Sequence, residues 1–455
     1  MSIESKTEVL AAARSEISKT KAYERLSKLF DDGVFTEIDT FVKSADNYAE
    51  VVAAYGNVSG VGVYAFAQNS DIVGGAMSKA QATKIKKVYD LALKTGAPVV
   101  ALYDSIGGRL TQGTDLLAAY GDILKYSNNL SGVVPQISVV LGKCFGTQAL
   151  IAACADVVIM SEKAEFSLNT SGADASAAEN AKHGVAHLVT KSEDEAINKA
   201  KNILALLPSN NLDVAAGFEF DEPQKTVTPN TTAADAVAAL VDDASAVEFQ
   251  AEYGKAIKTT LATVAGDTVG VVATADAVLD TKACSKAARF VRFCDAFGIP
   301  VITLADAQKF ECIKSAAKLT SAYAEATTAK ITVITGDAYG AVYIAVAGTG
   351  ASADVTFAWP NASVSALNPE ADAVIMLGDD FGGKLKNSKN PKADKAALVA
   401  EYKEKNCTAF DAAAKGYVED IINPEDTRAK LIAALELLSG KRVSTLPKKH
   451  NNLYI

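Results

Sequence analysis

The strongest constraint on this chain is that it repeats itself. Residues 137–141 form a β-rich apolar run that leads into Gly142, Lys143, Cys144, Phe145, Gly146 and Thr147. A small-residue segment, 148–155, and a second apolar run, 157–160, follow. In the second half, 330–340 ends in Gly336, Asp337, Ala338, Tyr339 and Gly340, and 354–357 answers 156–159. The flanks agree as well. Residues 268–272 repeat the start of the run 60–68, Ser285 and Lys286 open a helix as Ser78 and Lys79 do, 298–300 echoes 96–98, and 301–306 echoes 99–104. Even the exits match, 184–189 with 416–421. Matches in one unbroken order mark an internal duplication.

Each copied unit leads strands into helices, so the chain is expected to be α/β, with parallel strands joined by crossover helices. At 455 residues it exceeds one ordinary core, and two domains are expected, 1–230 and 231–455. The boundary is placed in the turn-rich stretch 221–234, which holds Pro223, Pro229 and Asn230. Residues 4–30 read as one polar helix, and Ser78 reads as the N-cap of a helix over 79–94. A strand feeding a glycine turn and a helix aims unpaired N–H groups at whatever lies above it, which suits an anionic oxygen. A turn that merely packs the helix onto its strand would use the same residues. The copies are unequal: Asp104 precedes Gly142 by 38 residues, whereas Asp306 precedes Gly336 by 30. The first loop carries Gly107, Gly108 and Arg109; the second, 307–312, has no glycine.

Composition narrows the function. A formal charge of −9 without a dense basic block argues against a nucleic-acid partner. The first residues lack the apolar core of a signal peptide, and no apolar run approaches the roughly 18 residues that span a bilayer, so a cytoplasmic protein is expected. The six cysteines are widely spaced with no Cys-x-x-Cys, and read as buried small hydrophobes, Cys144 included. His183 and His187 stand i, i+4 without the Glu of a zinc helix, so no metal is expected. Ser78 has no histidine placed to activate it. Lys143 and the Lys-rich stretch 384–395 read as solvated, the latter as a loop.

Longer motifs carry a family resemblance. They include 29–37, Gly74-Gly75 through Ser78, Asp104-Ser105 with Arg109, 287–297, 332–343, Ala358-Trp359-Pro360, 416–420 and the tail Lys448-Lys449-His450. With these the chain resembles the carboxyltransferase component of biotin-dependent acyl-CoA carboxylases and decarboxylases, nearly end to end. The resemblance implies two duplicated crotonase-like (ββα-spiral) domains, the N-terminal one on the acyl-CoA side and the C-terminal one on the biotin side. It implies oxyanion turns at Gly146 and Thr147 and at Ala341 and Val342 after Gly340. Ser105, Gly107, Gly108 and Arg109 are expected beside the first, Arg109 meeting a CoA phosphate or a carboxylate.

The implied reaction moves CO₂ between an acyl-CoA, of propionyl/methylmalonyl or glutaconyl type, and biotin on a separate carrier protein. None of the four methionines is followed by lysine, so this chain is not expected to carry biotin itself. A biotin carboxylase or membrane decarboxylase subunit is an implied partner. So is oligomerisation, as a homodimer, a homohexamer or a complex with a paralogue. Departures fall near the chemistry: Thr147 replaces a usual glycine, Ala341-Val342 replaces Gly-Ala, and of a Pro-Gly-Phe segment after Asp306 only Phe310 remains. That shortened loop motivates two alternatives, a non-catalytic assembly subunit and a biotin-independent crotonase-type decarboxylase.

Overall fold

The structure, a computed structural model, describes residues 3–44, 47–169, 175–386, 388–444 and 446–448. Lys449 and His450 of the tail motif lie outside the described residues. The chain divides into two compact units, Met1–Ala216 and Gly217–Ile455.

The first unit is built on a sheet in the order Phe35–Ile38, Val51–Val58, Val61–Gln68, Val99–Ser105, Gln136–Phe145, Val157–Ser161 and Leu188–Thr190, with Glu165–Ser167 paired to the outer end of Gln136–Phe145. The second repeats it as Val247–Phe249, Ile257–Val264, Asp267–Thr274, Val301–Ala307, Lys330–Tyr339, Val355–Ala358 and Asp420–Ile421, with Ser363–Ser365 on Lys330–Tyr339. In both, the first two pairings are antiparallel and the rest parallel.

The antiparallel hairpins are what the sequence pattern, which points to parallel strands, does not foretell. Each closes through a two-residue turn with both residues at positive φ, Ser59 (51°) and Gly60 (79°) in one and Ala265 (52°) and Gly266 (84°) in the other. Such turns match the twist of the strands but ordinarily announce themselves by Asn-Gly or Asp-Gly. Here a distant carboxylate holds the turn. Asp31 accepts from the N–H groups of Ser59 and Gly60, and Asp242 accepts from those of Ala265 and Gly266.

Crossover helices Lys79–Thr95 and Asp115–Leu130 cover the first sheet as Thr281–Ala296 and Ile313–Glu325 cover the second. Ser78 caps its helix, accepting from the Gln81 N–H at 3.1 Å. The counterpart cap is Asp280, which accepts from Ala283 at 2.7 Å, so Ser285 lies inside its helix and the expected Ser78–Ser285 match is corrected. Lys286 then answers Lys84, both six residues past the cap. Both are buried, and both donate to a backbone carbonyl, Lys84 to Val51 and Lys286 to Gln250.

Phe66, Val88, Ile123, Val140 and Met160 belong to one core, and Val271, Leu304, Val333, Trp359 and Leu431 to the other. Each buried side chain of this size stabilises its unit by about 1.5–3 kcal/mol. The Trp359 indole N–H, fully buried, donates to the Thr427 hydroxyl at 3.0 Å. Two further expectations change. The N-terminal helix is two, Ile3–Ser18 and Lys21–Leu29, because Thr20 caps the second. The Lys-rich stretch is only partly loop. Residues 384–386 end helix Pro369–Lys386, and 391–395 begin Pro391–Asn406, which is opened by the Asn390 cap and a proline whose missing N–H costs nothing at that position.

Candidate active site

Gly142 does not end its strand. The strand runs on to Phe145, because residues 143–145 pair with Glu165–Ser167 after a register shift opposite Asp104. Gly142 makes that shift possible: a Cβ there would stand 2.1 Å from Asp104 Oδ1. The Asp104 carboxylate accepts from the Lys143 N–H (3.3 Å), the Ser70 hydroxyl (2.9 Å) and Arg25 Nη1 (2.8 Å). Buried Arg25 also donates through Nε to Glu193 at 2.9 Å. The second unit repeats the bulge. A Cβ on Gly336 would stand 2.3 Å from Asp306 Oδ1, and Asp306 accepts from the Asp337 N–H at 2.8 Å.

The turns themselves sit at Gly146 (φ 72°) and Gly340 (φ 47°), conformations that favour glycine. Their N–H groups are already engaged: Gly146 donates to the Ser167 carbonyl (3.0 Å) and Gly340 to that of Ser365 (2.9 Å). Both glycines therefore shape the turn rather than donate from it. The donors left over are those of the first helical residues, Thr147 in Thr147–Ala153 and Ala341, followed by Val342, in Ala341–Val346.

A second donor comes from the loop beside each turn. Met77 donates to Gly107 O (2.7 Å) and Arg109 donates to Met77 O (2.9 Å). That is one parallel bridge, Met77 with Gly108, and it turns the Gly108 N–H away from Met77. The Gly108 N–H has no acceptor among the described residues. Buried Ser105 braces the loop, accepting the Gly107 N–H and donating to Gly107 O, both at 3.2 Å. A Cβ on Gly107 would lie 3.6 Å from Phe145 O, which brings this loop against the turn. The second unit holds the same bridge between Leu279 and Phe310, with Glu311 donating to Leu279 O at 3.0 Å. The loop after Asp306, short as it is, keeps the backbone path and differs in carrying the Phe310 side chain where the first has Gly108.

Arg109 is placed otherwise than expected. Its guanidinium pairs with fully buried Glu50 and donates to Ser44 Oγ at 2.8 Å, so its charge is spent inside the unit. Glu50 also accepts from Ser78 Oγ. Sequence reasoning missed Glu50, for nothing in its neighbourhood marks a carboxylate that must enter the core to meet Arg109. Near the second turn, burial pushes the Asp337 carboxyl up. Hydrogen bonds from Lys403 Nζ and Gln308 Nε2, both 2.8 Å, outweigh this and hold it below the usual carboxylate range. Asp337 occupies the place of exposed Lys143 in the first unit. Burial raises the Cys144 thiol well above its ordinary value, which makes it a packing group. Buried His187 accepts from the Val158 N–H through Nδ1 at 3.0 Å, a structural role.

Comparison with known proteins gives these two turns a context. The carboxyl transferase domain matches residues 15–453. The chain is 36% identical to the methylmalonyl-CoA decarboxylase subunit alpha of Veillonella parvula, over 96% of this chain and 93% of that one. It is 34% identical to the propionyl-CoA carboxylase beta chain of Saccharopolyspora erythraea, over 96% and 90%. The crystal structure of transcarboxylase 12S with hydrolysed methylmalonyl-coenzyme A bound superposes with a TM-score of 0.91 at 31% identity, over 99% of both chains. The duplication read from the sequence is thus the doubled crotonase-like domain of those carboxyltransferases. The chain belongs to the carboxyl transferase family.

Proposed function

We propose that this carboxyltransferase moves CO₂ between a propionyl/methylmalonyl-type acyl-CoA, held by the first unit, and biotin on a separate carrier protein, presented to the second. The observation that carries the reading is the pair of like turns, each with a helix-start N–H and a loop N–H that a parallel bridge turns away from the paired segment: Thr147 with Gly108, and Ala341 with Phe310. Transfer needs two such places. Taking CO₂ from the carbon beside a thioester leaves an enolate-like oxygen, and a biotin ring giving up CO₂ would likewise place negative charge on its ureido oxygen. A fixed N–H at such an oxygen lowers the barrier by about 3–4 kcal/mol, without any acid–base side chain. Biotin supplies a nitrogen that carries CO₂ and gives it up. In this chain the groups suited to its ureido oxygen are the N–H donors of Ala341 and Phe310.

The kept bridge at Phe310 removes the main motive for a non-catalytic reading, since the shortened loop still offers a donor. Among the described residues no helix is long and apolar enough to cross a membrane. Transcarboxylase 12S crystallised as a hexamer assembly. For this chain we propose an oligomer that pairs unlike units of neighbouring copies; sedimentation as a monomer would contradict it. The test of function is to incubate the purified chain with methylmalonyl-CoA and a biotinylated carrier. Carrier-dependent formation of propionyl-CoA is expected. Formation without carrier would support the biotin-independent alternative, and no turnover of any carboxylated acyl-CoA would overturn the proposal.

A further inference from the structure

One buried donor beside the first turn is not used by the protein. Tyr120 lies on helix Asp115–Leu130 and is 6% exposed, yet its hydroxyl has no hydrogen-bond partner among the described residues. Leaving a buried hydroxyl unpaired costs about 1–3 kcal/mol, so such a group invites an explanation. Its location supplies one. Leu116 and Tyr120, one helical turn apart, both face Gly108: a Cβ on Gly108 would stand 2.9 Å from Leu116 Cδ1 and 3.5 Å from the Tyr120 hydroxyl. Their helix also packs against Thr147–Ala153, the helix whose first residue offers the other free N–H. The unpaired hydroxyl is therefore built into the wall of the place where Gly108 and Thr147 meet a ligand. Burial pushes the phenol up from its ordinary value, so it holds its proton and can only donate or accept as a neutral group.

We propose that Tyr120 is a specificity-determining residue whose hydroxyl donates a hydrogen bond to the free carboxylate of a malonyl-type acyl-CoA. The assignment rests on the reading of the first unit as the acyl-CoA side. The thioester oxygen is served there by backbone N–H groups, and the next acceptor on a carboxylated acyl group is the carboxylate beside it. A neutral donor orients that carboxylate without an ion pair that would have to be broken as CO₂ departs. Arg109 is no rival for the role, since its charge is spent on Glu50.

The test compares methylmalonyl-CoA with propionyl-CoA, by equilibrium binding to the full-length chain and to its Tyr120→Phe variant. Loss of one hydrogen bond to a charged group predicts methylmalonyl-CoA binding weakened about tenfold or more, with propionyl-CoA within about twofold. Thermal unfolding of the free chain should stay where it was or rise, because the deleted oxygen is buried there without a partner. Equal weakening of both thioesters, no weakening of either, or a lowered unfolding temperature would overturn the role of Tyr120 while leaving the function intact. A wild-type chain that binds neither thioester would instead bring down the acyl-CoA reading, and this assignment with it.

Discussion

Asp104 and Asp306 hold the same place in their units, each facing a glycine and accepting an N–H one residue beyond it. They differ in what stands behind them. Asp104 is gripped by Ser70 and by Arg25, itself tied to Glu193. Asp306 is exposed and meets no cation among the described residues. The residue after each glycine reverses the pattern: the Lys143 side chain is exposed and has no ion pair among the described residues, whereas Asp337 is tied to Lys403 and Gln308. One backbone plan is thus stiffened from inside at the first turn and from its rim at the second. Duplication preserved the backbone turn and left its supports to diverge.

The largest effect should come from removing a donor while sparing the turn. Proline at the first helical residue lacks the N–H but fits the helix, so Thr147→Pro and Ala341→Pro delete one donor each. Each is expected to lower kcat by about 10²–10³-fold. Their split is the informative part. Assayed as exchange of CO₂ between labelled acyl-CoAs, Thr147→Pro should fail with every carrier. Ala341→Pro should retain acyl-CoA binding but fail to charge or discharge biotin. Identical defects in binding and transfer would mean that the two turns do not divide the substrates.

Next in size is steric. Ala at 142 or 336 would place a methyl against a carboxylate at 2.1 or 2.3 Å, nearly the same collision. Asp104 cannot retreat without breaking its hold on Arg25, so Gly142→Ala is expected to cost about 3 kcal/mol, the upper range for overpacking. Exposed Asp306 can swing away, so Gly336→Ala should cost about 1 kcal/mol. Urea unfolding midpoints of the two variants check this, and equal losses would show that the grip of Arg25 does not matter.

Much of this plan was legible because duplication lets a sequence testify twice. The helix over 79–94 and its cap at Ser78 follow from local patterns. What stayed hidden depends on residues far apart. The hairpin turns are Ser-Gly and Ala-Gly, and the carboxylates that hold them, Asp31 and Asp242, lie more than twenty residues away. Which of the expected turn residues keeps a free N–H was equally hidden. Gly146 attracts attention as the glycine, but its N–H is taken by Ser167, on a strand that appears only once 165–167 folds back beside 143–145. The loop after Asp306 looked mutilated by its length, since spacing does not reveal that the Leu279–Phe310 bridge survives and that the missing residues come out of the following helix and its connections.

The smallest expected effect tests where the copies have not diverged. Burial lowers the amines of both Lys84 and Lys286 to about 8, against partial support from Glu37 and Asp39 around the one and Glu248 and Asp280 around the other. A lysine in the unfolded chain titrates near 10.4. Between those values the folded state has shed a proton that the unfolded state keeps, so stability rises with pH through this window. Below about pH 8 both states are charged, and the folded one carries the cost of a buried ammonium. Relative to Lys84→Met or Lys286→Met, the wild-type chain should gain about 1 kcal/mol between pH 8 and pH 9. The measurement is the difference in urea midpoint between wild type and variant at each pH. Taking that difference cancels the opposing titration of buried tyrosines and cysteines, which is common to both proteins. The same slope from both substitutions would mean that the buried amine, bonded to a backbone carbonyl at the same helical position, is part of the shared plan. A slope from one alone would extend the divergence of the two turns into the cores beneath them.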